Sequence, residues 1–320
     1  QCAAIAGITQ NPSQWNPLIY PENNKKRREI VIKEMYNQGK ITKKEYEDAM
    51  KESKNMKFVG YNQKKEKEEI YVQNWYIEEL MNDLKKDLAK QNDISEDAAQ
   101  RMISTQGLKI YCAKMQNYIE KVGRSVNTEN DVTGLQTAMT LMEYDGRVVA
   151  TTGSSLKKTS NNLFDRATSA ALQPGSSIKP VVVYPYAIEH NVLTYGSLVE
   201  DEPLDDYKVG TDGYAEAGPT NWYYGYKGTM SLPDAIEISS NATAAQVMDK
   251  ITPAAAYKQV TQLMGFTHLD EQDGKEVGAL SIGGMTGGVT AREMAAAYQY
   301  LGNGGQYYEP YTYYYVTCLY

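Results

Sequence analysis

The sequence predicts an α+β fold, with helices at the amino end and further helices around an antiparallel sheet. Three observations support this prediction. Charged amphipathic segments with capping signals fill roughly the first 90 residues, a strand hairpin with an Asp-Gly turn follows near residue 145, and helical patterns return after residue 174. Strands that precede helices, without alternating with them, are typical of α+β domains. We expect further strands of this sheet to lie beyond Tyr320.

The first 60 residues predict a helical unit. Pro21 opens a charged helix that Gly39 ends. Thr42 and Glu45 form a capping box for the next helix. The predicted apolar side of the first of these helices comprises Ile30, Val31 and Met35.

The middle of the chain has a weaker pattern. Apolar spacing between residues 64 and 90 predicts an amphipathic helix. Residues 91–130 are polar and are interpreted as a connection between domains, with one candidate strand at residues 108–111.

The second half predicts a hairpin and then helices. Residues 138–151 form two apolar runs joined by Asp145-Gly146, a pair that readily adopts the positive φ of a hairpin turn. Helices are predicted after Gly175, after Ser231 and after Thr290, and glycines at residues 302–305 end the last of them. The tyrosine-rich tail, residues 307–320, is compatible with a strand or with a frayed end.

Composition excludes several classes of protein. The 320 residues are 42% hydrophobic and 23% charged, as in ordinary globular chains, and no stretch approaches the roughly 18 apolar residues of a membrane span. Three scattered cysteines, Cys2, Cys112 and Cys318, argue against a disulfide framework and clustered metal sites. The two histidines, His190 and His268, are interpreted as surface or capping residues, so we expect any catalytic proton carrier to be another residue type.

Charge is distributed unevenly along the chain. Residues 21–70 carry 14 Lys and Arg against 10 Asp and Glu, whereas residues 197–320 carry 6 against 16. We interpret the basic run at residues 25–28 as a solvated helix face in preference to a surface for anionic lipid or pyrophosphate. Nucleic acid is not an expected partner, because acidic residues are interleaved with the basic ones.

A serine activated by a lysine three residues later is the strongest chemical signal. The spacing places both side chains on one face at the start of a helix. It occurs three times, at Ser154/Lys157, Ser155/Lys158 and Ser176/Lys179. The first two lie in a polar loop and are interpreted as coincidental. The third follows Pro174-Gly175 and precedes an apolar helical pattern, which predicts a hydroxyl at a buried helix N-terminus and a lysine whose pKa is lowered by partial burial. From spacing alone, a capping serine and a solvated lysine remain equally compatible.

A second polar group is the run Ser239-Ser240-Asn241, which interrupts two helical stretches. Short polar residues at such a junction point into clefts more readily than residues within a helix, although they also serve as simple caps.

These segments together resemble the class A, bifunctional penicillin-binding proteins. The transpeptidase-like motifs are LQPGSSIKP at residues 172–180, NLFDRAT at residues 162–168 and ISSN at residues 238–241, followed by GG at residues 283–284 and NGG at residues 303–305. The N-terminal segment is similar to the end of the family's glycosyltransferase domain, at AGITQNPS (residues 6–13) and GKIT (residues 39–42). The resemblance implies a lysozyme-like helical remnant at residues 1–60, an interdomain linker region at 61–134, and a β-lactamase-like transpeptidase domain at 135–320.

The resemblance implies an acyl-transfer mechanism on cell-wall stem peptides. Ser176 is the expected nucleophile, Lys179 its base, Ser239 a proton relay to the departing D-alanine, and Asn241 a ligand for the substrate amide that also fixes Lys179. Ser176, Ser239 and Asn241 are also the expected substrate contacts, and β-lactams are expected to acylate Ser176 as substrate mimics. The family's Lys-Thr-Gly motif does not occur, and we therefore expect the chain to be an internal fragment with little turnover of its own.

The resemblance also sets expectations for the whole protein. Its substrates would be stem peptides and lipid II, its inhibitors β-lactams, and its partners the cell-wall synthesis machinery, at the outer face of a bacterial plasma membrane through an upstream anchor. No cofactor is expected for the transpeptidase, whereas a divalent metal would suit the glycosyltransferase domain. Two rival readings are a β-lactamase or D,D-carboxypeptidase with water as acceptor, and an inactive binding piece.

Overall fold

In the computed structural model, the chain divides into two compact units, Gln1–Tyr71 and Val72–Tyr320. The structure describes residues 1–9, 11–58, 72–113, 136–209 and 214–318. The described part of the first unit is helical, and the second combines helices with antiparallel strands, which confirms the α+β prediction. Among the described residues, no helix has both the length and the apolar character needed to cross a membrane.

Four helices form the described part of the first unit: α1 (Cys2–Ile8), α2 (Pro12–Trp15), α3 (Pro21–Asn37) and α4 (Lys43–Asn55). Pro21 begins α3, as predicted. The capping box is also confirmed, because the Thr42 side chain accepts from the Glu45 amide and Glu45 accepts from the Thr42 amide. Both features are local, so the sequence predicts them well.

The predicted apolar side of α3 is wrong. Ile30 and Met35 are 52% and 39% exposed, whereas Asn24, Arg28 and Ile32 are buried at a spacing of four residues. Arg28 donates from Nε to the Ser53 hydroxyl at 2.9 Å and from Nη2 to the Ser53 carbonyl at 2.7 Å. The solvated-face interpretation therefore fails for Arg28, because its hydrogen bonds to α4 compensate its burial.

The second unit has nine helices and eight strands among its described residues. Its helices are α5 (Trp75–Asn92), α6 (Glu96–Thr105), α7 (Arg166–Ser169), α8 (Lys179–Glu189), α9 (Leu232–Glu237), α10 (Asn241–Ile251), α11 (Pro253–Gln262), α12 (Val277–Ile282) and α13 (Ala291–Gln299). Its strands are β1 (Leu108–Cys112), β2 (Met139–Met142), β3 (Val148–Thr152), β4 (Leu198–Asp201), β5 (Leu204–Val209), β6 (Ala215–Gly218), β7 (Gly228–Ser231) and β8 (Tyr313–Cys318).

Each strand has one antiparallel partner, in the pairs β1–β8, β2–β3, β4–β7 and β5–β6. The predicted hairpin corresponds to β2–β3, with Gly146 at φ 85° in its turn. The C-terminal tail contributes a strand, since β8 pairs with β1. Strands β4 to β7 were not predicted, because these short segments show little alternation of apolar and polar residues.

The expected linker, residues 61–134, differs from what the structure shows for residues 72–113. These residues belong to the second unit and include α6, where only a polar connection was expected. The amphipathic helix predicted from residue 64 begins at Trp75, and its earlier part lies outside the described residues. Tyr76 connects α5 to the rest of the second unit, because its hydroxyl contacts the carbonyl oxygens of Val148 and Thr312. Such long-range contacts have no local sequence signal.

The main core surrounds α8. Val181, Val182 and Val183 are fully buried and pack in one cluster with apolar side chains of α10 and α12. Pro185 lies inside α8 and has no amide to donate to the carbonyl of Val181. The Tyr300 hydroxyl donates to that carbonyl instead. The start of α8, which carries the predicted site, is thus fixed in a well-packed core.

Candidate active site

Ser176 lies in a 3-10 turn, Gly175–Ile178, directly before α8. The turn is completed by the Lys179 amide, which donates to the Ser176 carbonyl. The expectation of a buried serine is wrong: Ser176 is exposed, while Ile178 and Lys179 are buried. The difference arises because α8 begins only at Lys179, so the serine sits in the more open turn before it. An exposed hydroxyl is accessible for attack on an incoming substrate.

Neighbouring segments fix the serine turn from outside. The Gly175 amide donates to the Gly283 carbonyl at 3.3 Å, the Tyr298 hydroxyl donates to the Ser177 carbonyl at 2.6 Å, and the Gln173 side chain donates to a carbonyl at 3.1 Å. Gly283 has φ +80°, and a Cβ there would lie 2.1 Å from the Gly175 carbonyl oxygen. Only glycine allows this approach without displacing the turn.

Substitution Gly283→Ala tests this close approach. We expect it to lower the free energy of unfolding by at least about 2 kcal/mol, because positive φ and the clash with Gly175 both add cost. Gly284→Ala is the matched control, since its Cβ meets nothing within 4 Å, and it should change stability by less than about 0.5 kcal/mol. Urea unfolding followed by circular dichroism measures both. Equal effects of the two substitutions would contradict the proposed contact.

Lys179 is the buried amine of the site, with 2% of its surface exposed. Its Nζ donates to the Ser239 carbonyl at 2.8 Å and to Asn241 Oδ1 at 2.7 Å, and lies 3.3 Å from the Ser239 hydroxyl. Burial lowers the pKa of Lys179 to about 8. The structure therefore joins two motifs that are 60 residues apart in the chain, and lowers the lysine pKa in the direction expected from the sequence.

The turn at residues 239–241 joins α9 to α10. Ser239 has φ 55°, an uncommon value for a residue other than glycine, and Ser240 caps α10 by accepting from the Thr243 amide at 3.0 Å. The Asn241 side chain donates to the Thr220 carbonyl at 3.0 Å while its oxygen accepts from Lys179. The strained turn thus directs the Ser239 carbonyl oxygen and the Asn241 side-chain oxygen toward the Lys179 amine.

Sequence reasoning missed the loop that supports this turn. Asn221 Oδ1 accepts from the amides of Asn241 and Ala242 at 2.8 and 3.2 Å, and so caps α10 together with Ser240. The only local signal was the turn-forming Gly218-Pro219, whose peptide bond is cis.

One residue of each of the other two serine and lysine pairs has a structural partner. Ser154 donates to Gln136 Oε1 at 2.7 Å, and Lys158 forms a 2.7 Å ion pair with Glu78. Lys157 is exposed. The histidines also bond locally, since His190 Nδ1 lies 2.9 Å from the Tyr186 carbonyl and His268 contacts Glu293. Within the described ranges, no group of three or more His, Cys, Asp or Glu side chains is arranged to hold a metal ion.

Comparison with known proteins identifies the second unit. The penicillin binding protein transpeptidase domain matches residues 136–316, more than half of the chain. The chain belongs to this family. Its class A character, expected from the sequence, is confirmed by relatives described as penicillin-binding protein 1A. That of Clostridium acetobutylicum is 30% identical over 97% of the chain, and the penicillin-binding protein 1A/1B of Bacillus subtilis is 29% identical over 97%.

Solved penicillin-binding proteins share the fold. PonA1 of Mycobacterium tuberculosis, in complex with penicillin V, superposes with a TM-score of 0.59 at 23% identity, covering 75% of this chain and 62% of that one. Penicillin-binding protein 1A of Haemophilus influenzae gives 0.57 at 20% identity, covering 99% and 57%. The chain spans 40% of the length of the Clostridium relative and 32% of the Bacillus one.

Proposed function

We propose that the protein containing this chain is a serine D,D-transpeptidase that cross-links peptidoglycan stem peptides. The observation that carries the proposal is the buried Lys179 amine, which is held by Ser239 and Asn241 one turn after the exposed Ser176. The family membership supports the same chemistry.

The proposed acylation step uses Ser176 and Lys179. The Ser176 hydroxyl loses its proton to the neutral Lys179 amine as its oxygen attacks the carbonyl between the two terminal D-alanines of a stem peptide. The peptide bond then breaks, and the leaving D-alanine amine takes a proton that passes from Lys179 through the Ser239 hydroxyl, 3.3 Å away. An amine of a second stem peptide then attacks the ester carbonyl. The new amide bond forms, the ester C–O bond breaks, and a proton from the amine passes to the Ser176 oxygen and restores its hydroxyl. Protons and bonds balance without a cofactor.

The hydrogen bonds of Lys179 suit this role. A neutral amine has two N–H donors and one lone pair. The Ser239 carbonyl and Asn241 Oδ1, the two closest acceptors, take both donors at 2.8 and 2.7 Å. The lone pair is then left for a hydroxyl proton. With a pKa near 8, about one tenth of the lysine is neutral at pH 7, against roughly one part in 3,000 at the ordinary pKa.

The rate of acylation should therefore rise with pH. Because the lowered pKa belongs to a cationic acid, the neutral base is scarce below pH 8 and predominates above it. We expect the rate constant to rise about tenfold between roughly pH 6 and pH 7, and to level off above about pH 9. Stopped-flow acylation with a fluorescent penicillin measures this, with circular dichroism at each pH as control. A flat or falling profile contradicts a lysine base.

β-Lactams are proposed inhibitors of the same serine. Ring opening by Ser176 would give an ester that water resolves slowly. The PonA1 structure, which was determined in complex with penicillin V, supports this expectation.

The wider activities are proposed from the relatives. The first unit is similar to the end of a glycosyltransferase domain, so the whole protein is proposed to polymerise glycan strands from lipid II as well. In this proposal the whole protein acts at the outer face of a bacterial plasma membrane with the cell-wall synthesis machinery, and a divalent metal would suit the glycosyltransferase domain alone.

Product analysis tests the proposal directly. The full-length protein is incubated with a stem pentapeptide and an excess of an acceptor amine of the stem-peptide type, and the products are separated by mass spectrometry. Cross-linked peptide with release of one D-alanine per link is the expected result. Hydrolysed tetrapeptide without cross-links would instead favour the carboxypeptidase or β-lactamase reading, in which water is the acceptor.

A further inference from the structure

Asp201, at the end of β4, is a fully buried carboxylate behind the candidate site. Four donors surround it. Oδ1 accepts from the Ser240 hydroxyl at 2.7 Å and from the Asn221 side chain at 2.8 Å, and Oδ2 accepts from the Tyr223 hydroxyl at 2.9 Å and from the Lys227 amide at 2.7 Å. Both oxygens are thus fully used, as a buried charge requires.

The carboxylate stays ionised in this position. Burial acts to raise the pKa of Asp201, but the four hydrogen bonds outweigh it and hold the pKa below the usual value for an aspartate. An anion is therefore available to accept from all four donors, which a neutral side chain cannot do.

Two of these donors, Ser240 and Asn221, also hold the turn that contacts Lys179. Ser240 caps α10, and Asn221 uses its other atom to accept from the Asn241 and Ala242 amides. Asn241 in turn accepts from Lys179. Asp201 therefore orients both capping groups of the turn at residues 239–241, although it does not reach the reacting atoms itself.

We propose that Asp201 is a positioning residue for acyl transfer, whose carboxylate fixes the turn at residues 239–241 so that its carbonyl and Asn241 hold Lys179. This inference rests on the proposed function of Ser176 and Lys179 and adds a residue to it. The neighbouring reading is that Asp201 only ties β4 to α10 and contributes stability without affecting the acylation step. The two hypotheses differ in the acylation rate constant that they predict for the folded molecules of an Asp201 variant.

Substitution Asp201→Asn distinguishes them in the full-length protein. An asparagine side chain has one acceptor oxygen. Its NH2 group, which can only donate, would therefore face two of the four donors. We expect the first-order acylation rate constant with a fluorescent penicillin to fall about 10- to 100-fold, the range for losing hydrogen bonds to a buried charge. The dissociation constant of the noncovalent complex should stay within about twofold, because Asp201 is not at the surface that meets the ligand.

The matched control is Asp83→Asn. Asp83 is a largely buried carboxylate that accepts from both Arg292 nitrogens at 2.8 Å and from Thr312 at 2.9 Å, away from the lysine. We expect it to lower stability while leaving the acylation rate constant of the folded fraction unchanged. Tyr223→Phe and Thr312→Val repeat the comparison with one donor removed from each carboxylate, in case the asparagine variants do not fold.

The results separate the possible failures. A fall in the rate constant with Asp201→Asn or Tyr223→Phe, and not with the controls, supports the proposal. Loss of active molecules at an unchanged rate constant, or an equal fall in the controls, overturns it. Wild-type acylation at a residue other than Ser176 overturns instead the proposed function on which it rests, and acylation at Ser176 without cross-linking overturns only the choice of acceptor.

Discussion

We expect substitution Ser176→Ala to abolish covalent labelling of the full-length protein by a fluorescent penicillin. The physical reason is that the proposed ester forms on the Ser176 oxygen, and alanine has no hydroxyl at this position of the turn before α8. Removing a nucleophile of this kind costs on the order of a millionfold in comparable serine enzymes, so labelling should fall to background. Gel fluorescence followed by peptide mapping measures the extent and the site of labelling.

Ser177→Ala is the matched control for this loss. Its hydroxyl donates to the Pro174 carbonyl at 2.7 Å and thus has a local structural role in the same turn. We expect this variant to be labelled at nearly the wild-type extent, with a small loss of stability. A label that maps to Ser154, or that survives Ser176→Ala, contradicts the assignment of the nucleophile.

Substitution Lys179→Arg lowers the acylation rate constant by about 100- to 10,000-fold, the usual contribution of a general base. Arginine keeps the positive charge and donor groups that face Ser239 and Asn241, but it stays protonated at every pH at which the protein is folded. The substitution therefore removes the base while retaining the cation. Stopped-flow fluorescence with penicillin measures the rate constant.

Lys157→Arg is the control for Lys179→Arg, because Lys157 is exposed and follows Ser154 at the same spacing. Its rate constant should equal that of the wild type. The pH profile gives a second readout: the rise that is expected through pH 8 should disappear in Lys179→Arg. Retention of a wild-type rate in Lys179→Arg would show that Lys179 contributes charge and not proton transfer.

Local signals account for what could be predicted of the fold. The capping box at Thr42, the Asp-Gly hairpin turn and the start of α3 at Pro21 each depend on contacts within about four residues. By contrast, α6 and the strands β4 to β7 were missed. Their short segments derive their order from packing and pairing with distant elements, which leaves little pattern in their own sequence.

Burial was the least predictable property. The apolar residues of α3 predicted the wrong buried side, because Arg28 and Asn24 find hydrogen-bond partners on other segments and so tolerate burial. At the candidate site, burial was predicted for both residues. Lys179 is buried as expected, whereas Ser176 is exposed. Periodicity identifies apolar faces, but it does not contain the partners that make polar burial possible.

The sequence by itself determined the family and its motifs, and it placed Ser176 and Lys179 three residues apart at the start of one helix, because such spacing is a local property. Only the tertiary structure decided that Ser239 and Asn241 meet Lys179 and that Asp201 lies behind them. These contacts join residues 39 to 62 positions apart through the packing of α8 against α10 and of β4 against α10. Such distances are closed by the core and not by any pattern along the chain.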